Sequence, residues 1–378
     1  MRDAFHLTDD ERQTRELVRA IARERIAPRA AAVDEAELYP SESFEHLARA
    51  GFMGLYVPEA YGGAGLGALA FCLATEELAW ACASTAVIYL VQYAAGYPIV
   101  SHGTEAQKQR YLPRLAAGEI TAALSISEPG AGSDAANART TAELRDGQWV
   151  VNGSKIFITN AGTDITACVT ITARTGEDEI SNLIVPNGTP GYEISAAMDK
   201  LGWRASDTRE LSFEDVTVPE ENLLGERGNG FRQFLEILDG GRISVAAMGV
   251  GLAQGAYDLA VAYAKEREQF GKPIAQFQAV QFALADMAVE IEAGRALTYK
   301  AAWLKDEGRE FAKEAAMAKL YTGELSHRVA NSALQIHGGY GFMEESAIAR
   351  LYRDQKILEI GEGTNEVQMM VIARHLGL

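Results

Sequence analysis

The spacing of apolar residues changes twice along this chain of 378 residues, and each change predicts a new domain. Apolar side chains recur at helical spacing up to about residue 120 and again from about residue 226. Residues 121–225 instead alternate like strands, with the turn pairs Asp146-Gly147 and Asn152-Gly153 between strand-forming residues. The pattern predicts an α+β multidomain fold: an N-terminal helical domain (1–120), a middle β domain resembling a barrel or sandwich (121–225) and a C-terminal helical bundle (226–378).

Several helices have recognisable ends. Thr8 and Glu11 form a capping box at the start of the first helix, and Pro28 predicts its end. Residues 51–67 predict a glycine-rich connector rather than a dinucleotide-binding loop, because no strand precedes their glycines. The other segments with a helical pattern cover residues 44–48, 68–97 (a buried pair), 104–116, 231–266, 278–306 and 311–335.

The charge of the chain argues against polyanionic partners. The formal net charge is −17, from 52 acidic and 35 basic residues, which repels nucleic acid and anionic membrane surfaces. Three cysteines without a CxxC pair and six scattered histidines predict neither a disulfide framework nor a metal site. No apolar run approaching ~18 residues predicts a membrane span, and the charged N-terminal segment is unlike a signal peptide. We therefore expect a cytoplasmic location.

The most informative acid is Glu362, which lies between two glycines in the segment ILEIGEGTNEVQ (357–368). An apolar run precedes it, and Thr364 or Asn365 offers an N-cap to a terminal helix. Burial raises the pKa of a carboxyl group and a nearby helix N-terminus lowers it, so such a site can be suited to proton transfer. By itself the pattern also fits an acid on a solvated loop, which is the commoner situation for Glu.

Other segments combine glycines with polar or aromatic residues, and each has a structural interpretation beside the functional one. Residues 125–134 (SISEPGAGSD) predict a tight turn that can approach a polar ligand. In residues 155–160, alternation places Phe157 and Thr159 on one strand face, which suits a planar ring but also ordinary core packing. Asp239 and Arg242 flank two glycines that we expect to interrupt a helix. Residues 267–272 can cap a helix, and residues 335–341 join two helices through glycines.

In this order and spacing, the segments resemble the acyl-CoA dehydrogenase family over essentially the whole chain. The matching motifs are YVPEAYGG (56–63), SISEPGAGSD, GWRASDT (202–208), FEDVTVPEENLLGERGNGF (213–231), REQFGKPI (267–274) and EGTNEVQ. The resemblance implies a C-terminal four-helix bundle and a homotetramer with FAD at the subunit interface. It also implies α,β-desaturation of an acyl-CoA thioester, with electrons passed to an electron-transferring flavoprotein.

The resemblance also assigns roles to individual residues. Glu362 matches the base that removes the pro-R α-proton while the β-hydrogen leaves as hydride to flavin N5. Residues matching flavin contacts within one subunit are Ile126, Ser127, Phe157, Thr159, Thr364 and Glu366. Residues matching contacts from the partner subunit to the pyrophosphate and adenosine part are Arg267, Phe270, Gln278, Gln335 and Gly339. Residues matching contacts to the acyl-CoA are Ser133, Asp239, Arg242 and Gly363.

Two positions distinguish this chain within the family pattern. Some members carry the base on the helix of Asp239 and Arg242, where this chain has Gly241. Many short- and medium-chain members have Tyr beside the base, where this chain has Gly361. The missing ring predicts space for short or branched acyl groups. We expect the pocket floor to include Ala86, Val87, Leu90, Val91 and Tyr93.

Two other functions are compatible with parts of this sequence pattern. A flavin monooxygenase or oxidase on the same fold generally lacks the EGT glutamate that is present here. A DNA-associated, damage-response relative would need a basic surface or tail, which the charge of −17 opposes.

Overall fold

The computed structural model describes residues 7–378, and within them helices, a sheet and helices follow one another along the chain. The first helical part contains α1 (Asp9–Ile21), α2 (Ala30–Ala36), α3 (Ser41–Arg49), α4 (Ala68–Ala81), α5 (Ala83–His102) and α6 (Glu105–Ala116). The middle part contains β1 (Thr121–Ser125), β2 (Thr141–Arg145), β3 (Gln148–Thr159), β4 (Thr166–Arg174), β5 (Ile180–Pro186), β6 (Tyr192–Ile194), β7 (Thr208–Pro219) and β8 (Leu223–Leu224). The last part contains α7 (Gly230–Glu266), β9 (Glu268–Gln269), β10 (Lys272–Pro273), α8 (Gln278–Asp306), α9 (Ala312–His337), α10 (Ala347–Asp354) and α11 (Asn365–His375). The predicted fold class is confirmed, while the boundaries at residues 120 and 225 stay a prediction.

The N-terminal helices begin as predicted but do not stop at Pro28. The Thr8–Glu11 capping box is formed by both reciprocal hydrogen bonds. Beyond α1, the chain stays helical through a π turn (Ala22–Ile26) and a 3₁₀ turn (Ala27–Arg29) into α2. Pro28 lies in the first turn of the 3₁₀ segment, where its lack of an N–H removes no helical hydrogen bond, so the predicted stop is wrong.

The middle strands form one eight-stranded sheet with its own apolar core. Its strand order is β6-β7-β3-β2-β4-β5-β8, and β1 pairs with β4 in parallel. The side chains of Trp149, Val151, Leu183 and Leu211 are buried in this core. A register shift in β3 between Lys155 and Ile158 breaks the simple alternation there.

The C-terminal helices α7, α8, α9 and α11 pack against one another as the expected bundle. Helix α7 runs unbroken from Gly230 to Glu266, so the predicted interruption at residues 239–242 is wrong. Each helical glycine costs about 1 kcal/mol relative to Ala, but α7 is buried between α4 and α9 along most of its length. The glycines serve close packing instead: a Cβ at Gly251 would lie 2.2 Å from the carbonyl oxygen of Glu76.

Two helices are long and apolar enough to be candidates for a membrane span, contrary to the prediction from the sequence. Both α5 and α7 reach the length and mean hydropathy of a membrane span, so the statement that no segment approaches one is wrong. However, 83% and 67% of their most apolar windows are buried inside the protein. Buried core helices satisfy the same test, so these two are weak evidence for a span.

A buried ion pair joins the SISEPGAGSD turn to the sheet. Glu128 and Lys155 are 7% and 0% exposed, and Lys155 Nζ lies 2.9 Å from Glu128 Oε1. Burial opposes ionisation of Glu128, but hydrogen bonds from Arg139 and Thr140 and the charge of Lys155 lower its pKa. Lys155 also donates to the carbonyl of Ile126, which fixes the backbone of that turn.

We expect Glu128→Ala to destabilise the protein by about 3–5 kcal/mol, because it leaves the Lys155 ammonium buried without its counter-ion. Urea unfolding at pH 7 measures the loss. The pKa of Glu128 is lowered in the folded state, so the wild-type advantage is present above the unfolded pKa and disappears as pH falls through the folded one.

The matched control is Glu143→Ala, which removes an exposed partner of Arg145 and should cost no more than about 1 kcal/mol. Equal losses for the two variants would contradict a special role for the buried pair.

Candidate active site

Glu362 lies on a strained turn between a 3₁₀ segment (Gln355–Glu359) and the start of α11. Its φ is 54°, a left-handed conformation that costs L-residues roughly 1–2 kcal/mol, and Gly363 follows with a φ of 85°. Thr364 is the N-cap of α11 and accepts a hydrogen bond from the N–H of Val367. Of the two caps that the sequence offered, the structure uses Thr364. The helix therefore begins immediately after the turn that carries the acid.

The carbonyl groups of this turn are held from two sides. Gln368 Nε2 donates to the carbonyl oxygens of Glu362 at 3.2 Å and Gly363 at 2.8 Å. Lys319 Nζ, on α9, donates to the Gly363 oxygen at 2.7 Å. The N–H of Glu362, in contrast, has no acceptor within the described residues 7–378. It remains available to a ligand.

Burial and nearby charges have opposite effects on the pKa of Glu362. Burial raises the pKa of its half-buried carboxyl group, while the positive charges of Arg242 and Lys319 oppose the shift. Burial likewise lowers the pKa of Lys319, to about 8, against the attraction of Glu362. A carboxylate with a raised pKa is a stronger base than an exposed one, and nearby cations favour its ionised form.

Helix α7 passes directly opposite this carboxylate. A Cβ built on Gly241 would lie 2.9 Å from Glu362 Oε2, so glycine leaves the acid room. Arg242, which is 4% exposed, pairs with Asp239 across one turn of α7. Its Nε is buried and has no hydrogen-bond partner within the described chain. A polar ligand could use this remaining donor.

A second group of predicted residues lies at the edge of the middle sheet. The N–H of Ile156 donates to the carbonyl of Ser127 at 2.9 Å, which brings the SISEPGAGSD turn beside β3. At the register shift, Phe157 adopts a φ of 63° and is 66% exposed. Ser127 in the turn and Thr159 at the end of β3 are half-buried. An exposed ring with hydroxyl groups on the adjoining turn and strand fits the isoalloxazine group of a flavin.

A third group forms a separate cleft of about 510 Å³ at the other end of α7 and α9. Arg267 and Gly339 line it, and the Arg267 guanidinium lies 5.7 Å from the ring centre of Tyr340. Phe270, 94% exposed, stands on the β9–β10 turn nearby. A guanidinium beside an open glycine backbone suits a pyrophosphate.

The remaining predicted residues are more scattered. Gln278 begins α8, and Gln335 lies in the last turn of α9 without lining the cleft. Glu366 is exposed in the first turn of α11. Hydrogen bonds with its own backbone and with Thr364 lower the pKa of its carboxyl group. Ser133 is exposed in the turn after β1.

Two supports of the turn, and most residues of a cavity that Asp239 also lines, were not identified from the sequence. Lys319 and Gln368 hold the backbone around Glu362. Lys319 lies in no motif, and Gln368, the last residue of EGTNEVQ, had no role assigned to it. A cavity of about 530 Å³ lies between α5, α7 and the α8–α9 connection, lined by Tyr93, Tyr97 and Lys305 among others. Of the residues expected at the pocket floor, Tyr93 lines this cavity, whereas Ala86, Val87, Leu90 and Val91 do not.

Comparison with known proteins covers all three parts of the chain. Family models for the acyl-CoA dehydrogenase N-terminal, middle and C-terminal domains match residues 8–119, 123–216 and 228–377. The probable acyl-CoA dehydrogenase YngJ of Bacillus subtilis is 48% identical, with 98% of this chain and 99% of that protein covered.

Solved structures agree in fold as well as sequence. The butyryl-CoA dehydrogenase of Megasphaera elsdenii has a TM-score of 0.96 at 42% identity, covering 99% of this chain and 100% of that one. A chain in the structure of the electron transferring flavoprotein of Acidaminococcus fermentans has the same score and identity, covering 98% and 99%. The chain therefore belongs to the acyl-CoA dehydrogenase family and is an FAD-binding oxidoreductase that acts on acyl-CoA.

Proposed function

We propose that this protein converts a short or branched acyl-CoA to its trans-2-enoyl-CoA, with Glu362 removing the α-proton. The observation that carries the proposal is the Glu362 carboxylate itself, half-buried with a raised pKa and facing the space above Gly241. The similarity to butyryl-CoA dehydrogenase supports a short acyl group. The glutamate argues against a monooxygenase or oxidase on this fold.

The chemistry removes two hydrogens from neighbouring carbons. The α-proton passes to the Glu362 carboxylate, and its electron pair forms the Cα–Cβ double bond as the β-hydrogen leaves with its own pair. FAD, when bound, supplies the acceptor for that hydride. The free N–H of Glu362 is a suitable donor to the thioester oxygen, where negative charge grows during proton removal. Arg242, with its unpaired Nε, and Asp239 would hold the polar part of the CoA near α7, and Ser133 and Gly363 would contribute further contacts.

The two groups of flavin residues support assembly of subunits. The flavin end of FAD would be held by Ile126, Ser127, Phe157, Thr159, Thr364 and Glu366. The adenosine and pyrophosphate end of a neighbour's FAD would be contacted by Arg267, Phe270, Gln278, Gln335 and Gly339. Large apolar side chains are exposed around the second group and on the C-terminal helices: Phe270, Phe282, Val289, Phe342 and Met370. Such surface is typical of contacts between proteins, and we propose a homotetramer.

We further propose an electron-transferring flavoprotein as the electron acceptor and the cytoplasm as the location. The similarity to a chain in such a flavoprotein structure supports the first. A short, branched substrate is compatible with a role in fatty acid β-oxidation and with one in branched-chain amino acid catabolism.

We expect Glu362→Gln to lower the rate of flavin reduction by at least about 10²–10⁴, because the amide cannot accept the α-proton. Stopped-flow absorbance with butyryl-CoA measures this, and the variant should keep its FAD and bind acyl-CoA. In the wild type, the rate should fall as pH drops through a pKa above the usual value for Glu, since only the ionised form accepts a proton.

Glu310→Gln, which neutralises an exposed acid, provides the control. Bleaching of the flavin by Glu362→Gln at the rate of this control would mean that another group is the base.

We expect butyryl-, isobutyryl- or 2-methylbutyryl-CoA to exceed palmitoyl-CoA in kcat/KM. A Cβ on Gly361 would meet only Ile357, at 3.4 Å or more, so the space beside the base is open. Gly361→Tyr should fill it and reduce branched substrates by about tenfold to a few hundredfold more than the straight one, since a methylene is worth ~1–3 kcal/mol in such a pocket.

Gly361→Ala, which adds one methyl group, should shift the preference much less. A substrate panel that peaks at twelve carbons or more would contradict the pocket argument, as would equal losses of branched and straight substrates in the Tyr variant.

A further inference from the structure

Helix α9 approaches the turn that carries Glu362 through two residues on one face. A Cβ built on Gly323 would lie 3.1 Å from the carbonyl oxygen of Leu358, which precedes the turn. One helical turn earlier, Lys319 reaches the carbonyl oxygen of Gly363, which follows Glu362. Residues four apart share a helix face, so the same face of α9 holds the chain on both sides of the base.

Lys319 is an unusual residue at this place. Its side chain is 0% exposed, and its ammonium bonds to one backbone oxygen at 2.7 Å and lies 3.4 Å from Asn365 Oδ1. Within residues 7–378, no carboxylate lies at ion-pair distance from it. An ammonium taken out of water costs several kcal/mol unless nearby charge compensates. A neutral donor would have served for the hydrogen bonds alone.

The compensating charge comes chiefly from Glu362. Among the acids near Lys319, Glu362 has the strongest effect, followed by Glu359 and Glu366. Arg242, on α7, is the other cation near both groups, and its effect on the pKa of Glu362 is larger than that of Lys319. Glu359 is already paired with Lys356, and Glu366 is exposed. The Lys319 charge therefore acts mainly on the carboxylate of Glu362.

We propose that Lys319 is a positioning residue for the proton transfer: it fixes the Gly363 carbonyl and so the left-handed turn, and its charge, together with that of Arg242, favours the ionised form of Glu362. This inference rests on the proposed role of Glu362. It predicts that removing the charge impairs proton removal most at low pH, where Glu362 then becomes protonated, and little at high pH. A residue with only a structural role would give a loss that does not depend on pH.

The test is α-proton removal without hydride transfer. In 3-thiabutyryl-CoA, sulfur replaces the β-methylene, so the α-hydrogens are acidic and no β-hydride can leave. The enolate formed beside oxidised flavin absorbs at long wavelength, and titrating the holoenzyme complex with pH reports ionisation at the α-carbon. Lys319→Met keeps the volume, and Gln368 still donates to the Gly363 oxygen, so we expect the variant to fold.

We expect Lys319→Met to shift the midpoint of this titration by about one pH unit upward. Flavin reduction by butyryl-CoA should fall about tenfold near the wild-type midpoint and recover at higher pH, with the dissociation constant of 3-thiabutyryl-CoA at high pH within about threefold of wild type. Lys319→Gln, which keeps a donor but no charge, should show the same shift. It replaces Lys319→Met as the test if that variant does not fold.

The control is Lys300→Met, which removes an exposed partner of Glu314 from the same bundle and should leave the titration unchanged. A midpoint unchanged in folded Lys319→Met or Lys319→Gln, or a loss equal at every pH, would overturn the inference. Failure of the proposed function looks different: the Glu362→Gln holoenzyme would then still form the long-wavelength band.

Discussion

The site depends on a carboxylate held in a left-handed turn between two helices. Glu362 adopts a φ that side chains other than glycine rarely accept. The cost is offset from outside the turn, by Gln368 on α11 and Lys319 on α9. Strain that is maintained in this way is typical of functional sites. The helices of the bundle thus bring together the side chains that hold Glu362 in position.

Burial and charge act together on that acid. A carboxyl group removed from water becomes a better base, but without nearby cations it would be protonated when it is needed. Arg242 and Lys319 oppose the effect of burial from α7 and α9. The glycine at 241 then leaves the carboxylate oxygen unobstructed. Together these three positions define a basic oxygen beside a space that a substrate carbon could enter.

Much of the fold could be predicted from local pattern. The period of apolar residues gave the order of helices and strands, and α8 begins and ends at the predicted residues, because its pattern is long and flanked by clear breaks. Errors arose where distant packing overrides local preference: α7 continues through Gly240 and Gly241 because α4 and α9 enclose it, and the shift in β3 alters the backbone at Phe157. Lys319 lies 44 residues from Gly363, so no local pattern could reveal their contact. Glu362 stood out because its turn and the helix start are adjacent in sequence, and the resemblance to the family then assigned it the role of base.

The most direct test transfers the carboxylate from position 362 to position 241 on the facing helix α7. With Glu362→Gly, the turn keeps a residue that tolerates positive φ, and the space that the carboxylate vacates can receive the side chain of Gly241→Glu. Loss of label from butyryl-CoA deuterated at one α position, followed by mass spectrometry of the product, shows which hydrogen is removed. Our account predicts that the double variant regains part of the activity lost in Glu362→Gly and removes the same α-hydrogen as the wild type. Removal of the opposite hydrogen, or no recovery in a variant that binds FAD and butyryl-CoA, would contradict it.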